Sequence, residues 1–299
     1  MDARPWQEQL IALYCLICRE YAEHLWMHAE RQSPFRTYRF TDEEALSVYL
    51  FGLLRHPGAS IREVHTFARD FLGEFFPHLP SYSAFDHRLG LLSGALQAFC
   101  EALLESLPPP PEGGAAHLLD SMPVVLAQGV RAHHARVAAE VADVGYCASK
   151  KTFYWGVKLH ALCQYLAGTL PRPERLWVSA ASISDLTLAK SYTADLPAGE
   201  LYADKLYQDQ TWKDDLERDR HLTLHTPVRR SRGAPPLDAA DRLYSRAVCH
   251  VRQAIETFFS WLDRTRHIQN ASRVRSAAGL CVHLFGRLAL ALLTLVANP

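Results

Sequence analysis

Residues 117–126 read HLLDSMPVVL, an apolar run that is interrupted by the carboxylate of Asp120. The stretch just before it, Pro108–Gly114, reads PPPPEGG, and such Pro- and Gly-rich composition is typical of a linker. A short apolar run that follows turn residues is typical of a strand. The pattern therefore predicts that a new domain begins here with a strand carrying Asp120.

Four more segments downstream have strand patterns, at 152–166, 175–183, 200–204 and 222–228. Helical patterns cover 185–192, 212–220, 238–266 and 277–297. The early strands are expected to form antiparallel hairpins and the later ones to connect through helices, which gives a mixed sheet covered by helices. This is the element order of a ribonuclease H-like domain, so the predicted class is α/β (α+β with a mixed sheet) over residues 117–299.

Residues 1–107 show only helical patterns and are predicted to form an all-α domain, joined to the second domain by a linker at 108–116. A long first helix is expected over 6–32, a helix capped by Thr41 with Glu44 follows, and further helices cover 60–76 and 82–107. Short helices joined by tight turns are compatible with a helix-turn-helix-like module for binding DNA ends. Any small helical bundle has the same pattern, so this signal is weak.

The formal net charge of the 299 residues is zero, which by itself argues against a nucleic-acid binder. The charges are unevenly distributed, however. Residues 1–120 hold 9 arginines and 16 acidic residues, whereas residues 218–287 hold 13 arginines and 5 acidic residues. Binding of phosphate depends on local positive charge, so the second region is the expected contact with DNA. The alternative is a solvated basic helix face.

The seven cysteines are irregularly spaced and no export signal opens the chain, which together favour reduced thiols in the cytoplasm. The most membrane-like segment is 277–297. Because His283 and Arg287 lie near its middle, the sequence favours a buried helix of a protein without a membrane span.

Three acidic residues end or occupy segments that a folded chain can bring together: Asp120 and Asp204 at strands and Glu256 within a helix. Converging carboxylates supply the hard oxygen ligands that suit Mg²⁺ or Mn²⁺. A pair of such ions is a common device for cutting and joining phosphodiesters.

From about residue 40 onward the chain resembles DDE transposases of the IS982 insertion-sequence family. Five motifs carry the resemblance in order: FFPHLPSYSAF (75–85), LLDSMPV (118–124), GYCASKKTFYWGVKLH (145–160), LYADKLYQD (201–209) and IETFFSWL (255–262). No single motif is decisive, but five in the right order are highly specific. One departure is Ser184-Asp185, where members of the family commonly carry His-Asp.

The resemblance implies that Asp120, Asp204 and Glu256 are the catalytic and metal-binding triad, and that the cofactor is a pair of Mg²⁺ or Mn²⁺ ions. It implies a DNA transposase that cleaves the ends of an insertion sequence and transfers the 3′-hydroxyl ends to target DNA. Double-stranded DNA, as terminal inverted repeats and as target, would be the partner. A homodimer is expected because the reaction brings two ends together.

Seven basic residues are predicted to contact DNA: Lys150, Lys151, Lys158, Lys205, Arg252, Arg264 and Arg266. The first three lie beside Tyr154 and Trp155, and basic residues interleaved with aromatic ones suit backbone contact and base stacking. The alternative is that one of these rings is simply core. Lys205 follows Asp204 directly, where a structural salt bridge is an equal alternative. Arg252 lies four residues before Glu256 and therefore on the same helix face, from which it could neutralise phosphate near the site or pair with the triad.

Two other functions stay open at this stage. One is a catalytically inactive or repurposed DNA-binding relative, against which the presence of all three acids argues. The other is a ribonuclease H-like nuclease without strand transfer, since the same carboxylate cage serves both reactions.

Overall fold

A computed structural model describes residues 5–29, 38–108, 115–148, 150–230, 233 and 235–297. Their contacts separate a helical unit (Met1–Pro108, Arg136–Glu140 and Leu262–Pro299) from a sheet unit (Pro109–Ala135 and Val141–Trp261). Most of the predicted linker, residues 109–114, lies outside the described residues. The predicted second domain, 117–299, differs from the sheet unit, because the chain from Leu262 onward groups with the N-terminal helices.

The sheet unit contains a six-stranded mixed sheet. Its strands are β1 (Ala115–Gln128), β2 (Asp143–Cys147), β3 (Thr152–Gln164), β4 (Arg172–Ala180), β5 (Gly199–Ala203) and β6 (Leu222–His225). β3 pairs antiparallel with β1, β2 and β4, and β5 pairs parallel with β1 and β6. Without the short β2, the strand order is β4-β3-β1-β5-β6. This arrangement confirms the predicted ribonuclease H-like fold class.

Helices α6 (Asp185–Tyr192), α7 (Gln210–Arg220) and α8 (Ala239–Arg266) accompany the sheet, and α8 belongs to the sheet unit as far as Trp261. A buried cluster joins strand residues such as Leu119 and Leu201 with Trp212 and other residues of the helical connections. Because the burial of large apolar side chains is the main favourable term in folding, this cluster fixes the central strands in place. Asp120 within β1 and Asp204 just past the end of β5 are thereby held on a rigid base.

Close approach of two strands requires a glycine at position 156 of β3. A Cβ atom there would lie 2.1 Å from the carbonyl oxygen of Val124 on β1, the strand that carries Asp120. We predict that Gly156→Ala lowers the free energy of unfolding by about 1–3 kcal/mol, because neighbouring backbone has to shift. Urea denaturation would measure the loss. Gly73→Ala is the control, since its Cβ would meet only one backbone atom, at 3.7 Å, and an equal loss there would contradict the explanation.

The helical unit is built from α1 (Trp6–Glu23), α2 (Asp42–Arg55), α3 (Ile61–Phe71), α4 (Tyr82–Leu91), α5 (Ser93–Glu105) and α9 (Ala277–Ala297). The capping box predicted at Thr41 is confirmed, because the Thr41 hydroxyl accepts from the backbone of Glu44 and the Glu44 carboxylate accepts from the backbone of Thr41. A second complete capping box at Ser60 begins α3. Such caps satisfy backbone donors that would otherwise have no partner.

Helix α9 is long and apolar enough to cross a membrane by length and composition alone. Within the helical unit, however, its residues 280–292 are buried apart from Cys281 and Phe285. The Tyr49 hydroxyl of α2 donates to the carbonyl of Val282, and the Cys100 thiol of α5 donates to the carbonyl of Phe285. These contacts favour the predicted role of α9 as a core helix.

Several element boundaries differ from the prediction. The helix expected over 82–107 is interrupted at Leu92, which separates α4 from α5. The first helix ends at Glu23 and a short 3₁₀ turn follows, whereas the end predicted at residue 32 lies outside the described residues. Strand β2 was not predicted, because DVGYC at 143–147 has neither a clear alternation nor turn residues on both sides.

Candidate active site

The sheet register brings Asp120 and Asp204 to the same place. Strands β1 and β5 run parallel, and Leu119 of β1 is the register partner of Ala203, the last residue of β5. The next residue on each strand is therefore an aspartate, Asp120 within β1 and Asp204 just past the end of β5. The central position of these strands in the sheet fixes the spacing of the two carboxylates.

The guanidinium of Arg252, on helix α8, contacts both carboxylates. Its Nη2 atom lies 3.0 Å from Oδ2 of Asp120, and its Nη1 atom lies 3.5 Å from Oδ1 of Asp204. The Arg252 side chain is only 8% exposed, and its Nε atom is buried without a hydrogen-bond partner. Two acidic groups are thus directed at one cation, which shows that their negative potential converges at this point.

Glu256 lies one helical turn after Arg252 on α8 and is exposed to solvent. Residues Ile255, Phe258 and Phe259 on the same helix are buried, so Glu256 stands at the border of the buried face. Its charge, like that of Asp204, raises the pKa of Asp120. The three predicted carboxylates therefore belong to one electrostatic cluster.

The pKa of Asp120 reflects its burial and the nearby charges. Burial is the main cause that raises its pKa, to about 6, while Arg252 and the backbone N–H of Ser121, which donates to Oδ1 over 2.8 Å, act in the opposite direction. A negative charge at this position is thus unfavourable unless a cation or strong donors are near. Arg252 supplies that cation in this structure.

The donor chemistry fits a divalent metal ion, because the carboxylates of Asp120, Asp204 and Glu256 are hard oxygen ligands that belong to one electrostatic cluster. The carboxylate oxygens of Asp120, Asp204 and Glu256 do not all lie within 4.8 Å of one another, as ligands of one ion would. Among the described residues, one group of His, Cys, Asp and Glu has all its ligand atoms within 4.8 Å of one another, and it is Glu20, Glu23 and His24 on the surface of α1. In the candidate site, the guanidinium of Arg252 stands between two of the carboxylates.

A fourth carboxylate near the site, Asp185, was not singled out as a site residue from the sequence. It begins helix α6 and accepts hydrogen bonds from Ser121 Oγ at 3.1 Å and from Lys158 Nζ at 2.7 Å. Lys158 also donates to the carbonyl of Ile183. The ammonium group of Lys158 is therefore held in a network beside Asp120, which does not support its predicted contact with DNA.

The other predicted DNA contacts are placed differently from one another. Lys150, Lys151 and Lys205 are exposed in the sheet unit, and Arg264 is exposed in the last turn of α8. Arg266 is buried, with 8% exposure, and its guanidinium donates to the hydroxyl of Thr294. This packing gives Arg266 a structural contact and does not support the prediction that it faces DNA.

The aromatic residues suggested for base stacking are buried: Tyr154 is 3% exposed and Trp155 is 6% exposed. The stacking suggestion for these two rings is therefore wrong in this structure, and both are core. Their neighbours Phe153 and Tyr146 are exposed, with ring centroids 5.0 Å apart, and His133 lies against Phe153. Alternation along the strand could not have identified the exposed ring, because Phe153 shares its face with the buried Trp155.

A family model described as "Transposase DDE domain" matches residues 112–277. The match contains Asp120, Asp204 and Glu256, and it ends where helix α9 begins. No curated protein matched the chain.

Proposed function

The chain belongs to the DDE transposase family, and on that premise we propose that it cleaves the ends of an insertion sequence and transfers the freed 3′-hydroxyl ends to target DNA. The observation that carries the proposal is the meeting of Asp120 and Asp204 at adjacent strand positions, with Glu256 one turn from the arginine that contacts both. The five ordered motifs favour the IS982 family within this larger group.

Asp120, Asp204 and Glu256 are the residues that would hold Mg²⁺ or Mn²⁺, and two ions are proposed. Bound there, the metal would activate the attacking oxygen and stabilise the leaving oxygen at phosphorus. The protein contributes the positioning: β1 and β5 fix two ligands, and α8 presents the third. Asp185, Lys158 and Ser121 form a hydrogen-bonded network that orders the strand next to Asp120.

The proposed partners are double-stranded terminal inverted repeats and target DNA, bound by a homodimer that holds two ends together. The proposed location is the bacterial cytoplasm, in association with the nucleoid. Exposed lysines of the sheet unit, Lys150, Lys151 and Lys205, supply positive charge for contact with phosphates.

The proposed function is tested with purified protein and labelled duplex DNA that carries the element's own ends, in Mg²⁺, in Mn²⁺ and in EDTA. The expected result is nicking at the ends and joined products with a target plasmid, both dependent on the metal. Hydrolysed ends without joined products would identify a nuclease without strand transfer. Binding of the ends without any cutting would identify a non-catalytic DNA-binding relative.

Lys151→Ala and Lys205→Ala are each predicted to weaken DNA binding several-fold. Loss of one phosphate contact should also reduce the slope of log K against log salt concentration by roughly 1. Fluorescence anisotropy in EDTA, at several salt concentrations, would measure both quantities. Lys190→Ala is the matched control, since Lys190 is another lysine of the sheet unit and pairs with Asp209 at 2.9 Å. Equal losses in all three variants would contradict a specific DNA surface.

A further inference from the structure

The helical unit contains a cavity of about 480 Å³ that is separate from the carboxylate cluster of the sheet unit. It is lined by the turn that leads into α3, by Tyr82 and Asp86 of α4, by His267, by residues 270–276 and by the first turns of α9. This volume lies in the ordinary range of ligand-binding pockets. The residues that line the cavity come from segments far apart in the sequence.

The lining of the cavity is strongly basic. Four arginines contribute to it, Arg62, Arg273, Arg275 and Arg287, against one acidic residue, Asp86. Arg273 pairs with Glu63 at 2.8 Å, while Arg62 lies over the ring of Tyr82, 4.1 Å from its centroid. A concave surface lined by charges of one sign concentrates the field inside it. The cavity therefore attracts an anion.

Arg287 is the buried cation of this cavity. It is 6% exposed, one Nη atom donates to the carbonyl of Ala59 at 3.1 Å, and its Nε atom is buried without a hydrogen-bond partner. Burial lowers its pKa, and the neighbouring phenol of Tyr49 has a pKa raised by burial, so Tyr49 stays neutral. No carboxylate of the described residues forms an ion pair with Arg287. A buried charge without a counter-charge is costly, and a bound anion would offset that cost.

Two helices also begin at the cavity. Ser60 caps α3, and Ser276 accepts a hydrogen bond from the backbone of Gly279 in the first turn of α9. The first turn of α9 carries no acidic residue. The capping side chains occupy some of the first backbone N–H groups of both helices, and the Glu63 carboxylate offsets the positive charge at the start of α3. The partial positive charge at the start of α9, which has no acidic residue in its first turn, favours phosphate.

We propose that this cavity binds a phosphate group of the DNA backbone and is the site through which the helical unit holds DNA. The inference rests on the proposed function, because DNA is the polyanion that a transposase handles. Arg62 and Arg275, both exposed, would contact phosphate at the mouth, and Arg287 would neutralise its charge from below. The cavity gives the predicted DNA-binding role of the N-terminal helices a specific location.

The test compares Arg62→Ala, Arg275→Ala and Arg287→Met with Arg69→Ala. Arg69 is an exposed arginine of α3 that does not line the cavity and pairs with Asp70. Binding of a labelled duplex with the element's ends is measured by anisotropy in EDTA. Each cavity variant is expected to bind about tenfold more weakly, with a salt slope reduced by roughly 1, because a charge-assisted contact is lost. Wild-type affinity in the Arg62 and Arg275 variants would overturn the proposal.

Arg287→Lys keeps the positive charge, so its comparison with Arg287→Met separates a loss of DNA binding from a loss of stability. It is expected to bind duplex more tightly than Arg287→Met at equal thermal stability, and equal binding by the two variants would count against the proposal. The melting temperature measured with added inorganic phosphate tests whether the cavity binds a free phosphate ion or a phosphate of the DNA backbone. If phosphate raises the melting temperature of the wild type while the exposed-arginine variants bind duplex normally, the cavity is a small-anion site and the DNA proposal is wrong.

The experiment distinguishes failure of the proposed function from failure of the cavity proposal. If the wild-type protein neither binds nor cuts the ends, both proposals are overturned. If the wild type cuts, and the cavity variants bind and cut at the same level, only the cavity proposal is overturned.

Discussion

Asp120→Asn, Asp204→Asn and Glu256→Gln are each expected to lower the rate of strand cleavage by about 10³-fold or more. The estimate follows because a catalytic metal ion supplies several kcal/mol of transition-state stabilisation, and each 1.36 kcal/mol changes a rate tenfold. The substitutions keep the shape of the side chain and remove its charge. Single-turnover nicking of labelled ends, with protein in excess, measures the chemical step without product release.

The control for these variants is Asp214→Asn, which removes an exposed carboxylate of α7 that is hydrogen-bonded to Gln210. Its cleavage rate should match the wild type. DNA binding in EDTA should stay near wild type in all four variants, because the triad acts on the metal and not on DNA affinity. Cleavage at the wild-type rate by any triad variant would remove that residue from the proposed site.

The sequence allowed the strands of the site to be predicted because their signals are local. The apolar run around Asp120 and the run that ends at Asp204 each lie between turn residues, and both strands were observed. The caps at Thr41 and Ser60 were likewise predictable, since a capping box needs only two residues three positions apart. Local signals therefore predicted these strands and caps, although β2 and the break at Leu92 were missed.

Long-range partners were not predictable in the same way. Helical spacing placed Arg252 near Glu256 and allowed it to pair with the triad, but the choice of Asp120, 132 residues earlier, as its partner depends on how α8 lies in the sheet unit. Asp185 reaches Lys158 and Ser121 through the register of β3 and β1, which no local pattern specifies. The grouping of α9 with the N-terminal helices has the same origin, because no local pattern specifies which elements its apolar surface packs against.

The cavity proposal weighs charge differently from the sequence interpretation. By sequence alone, residues 1–120 have an acidic balance, which disfavours phosphate binding by the N-terminal helices acting alone. The helical unit, however, is completed by residues 262–299, which bring Arg273, Arg275 and Arg287 to the cavity beside Arg62. The relevant charge is that of the folded surface, and it combines segments about 200 residues apart.

Arg252→Met is expected to destabilise the metal-free protein by about 3 kcal/mol. Breaking a largely buried ion pair costs that much because it leaves its partners uncompensated, and here Arg252 is 8% exposed and contacts both Asp120 and Asp204. Chemical denaturation in EDTA measures the loss. Arg264→Met, an exposed arginine on the same helix, is the control and should lose little stability.

The same variant tests whether Arg252 occupies the place of a metal. If it does, Mn²⁺ should raise the melting temperature of Arg252→Met more than that of the wild type, since no guanidinium has to be displaced and a ligand stabilises the folded state in proportion to its affinity. A smaller gain in the variant would show that Arg252 supports metal binding instead of competing with it. Either result assigns a role to Arg252, which contacts both aspartates. It is either a competitor that is displaced when metal enters, or a fixed neighbour that stays beside the ions and is available to phosphate.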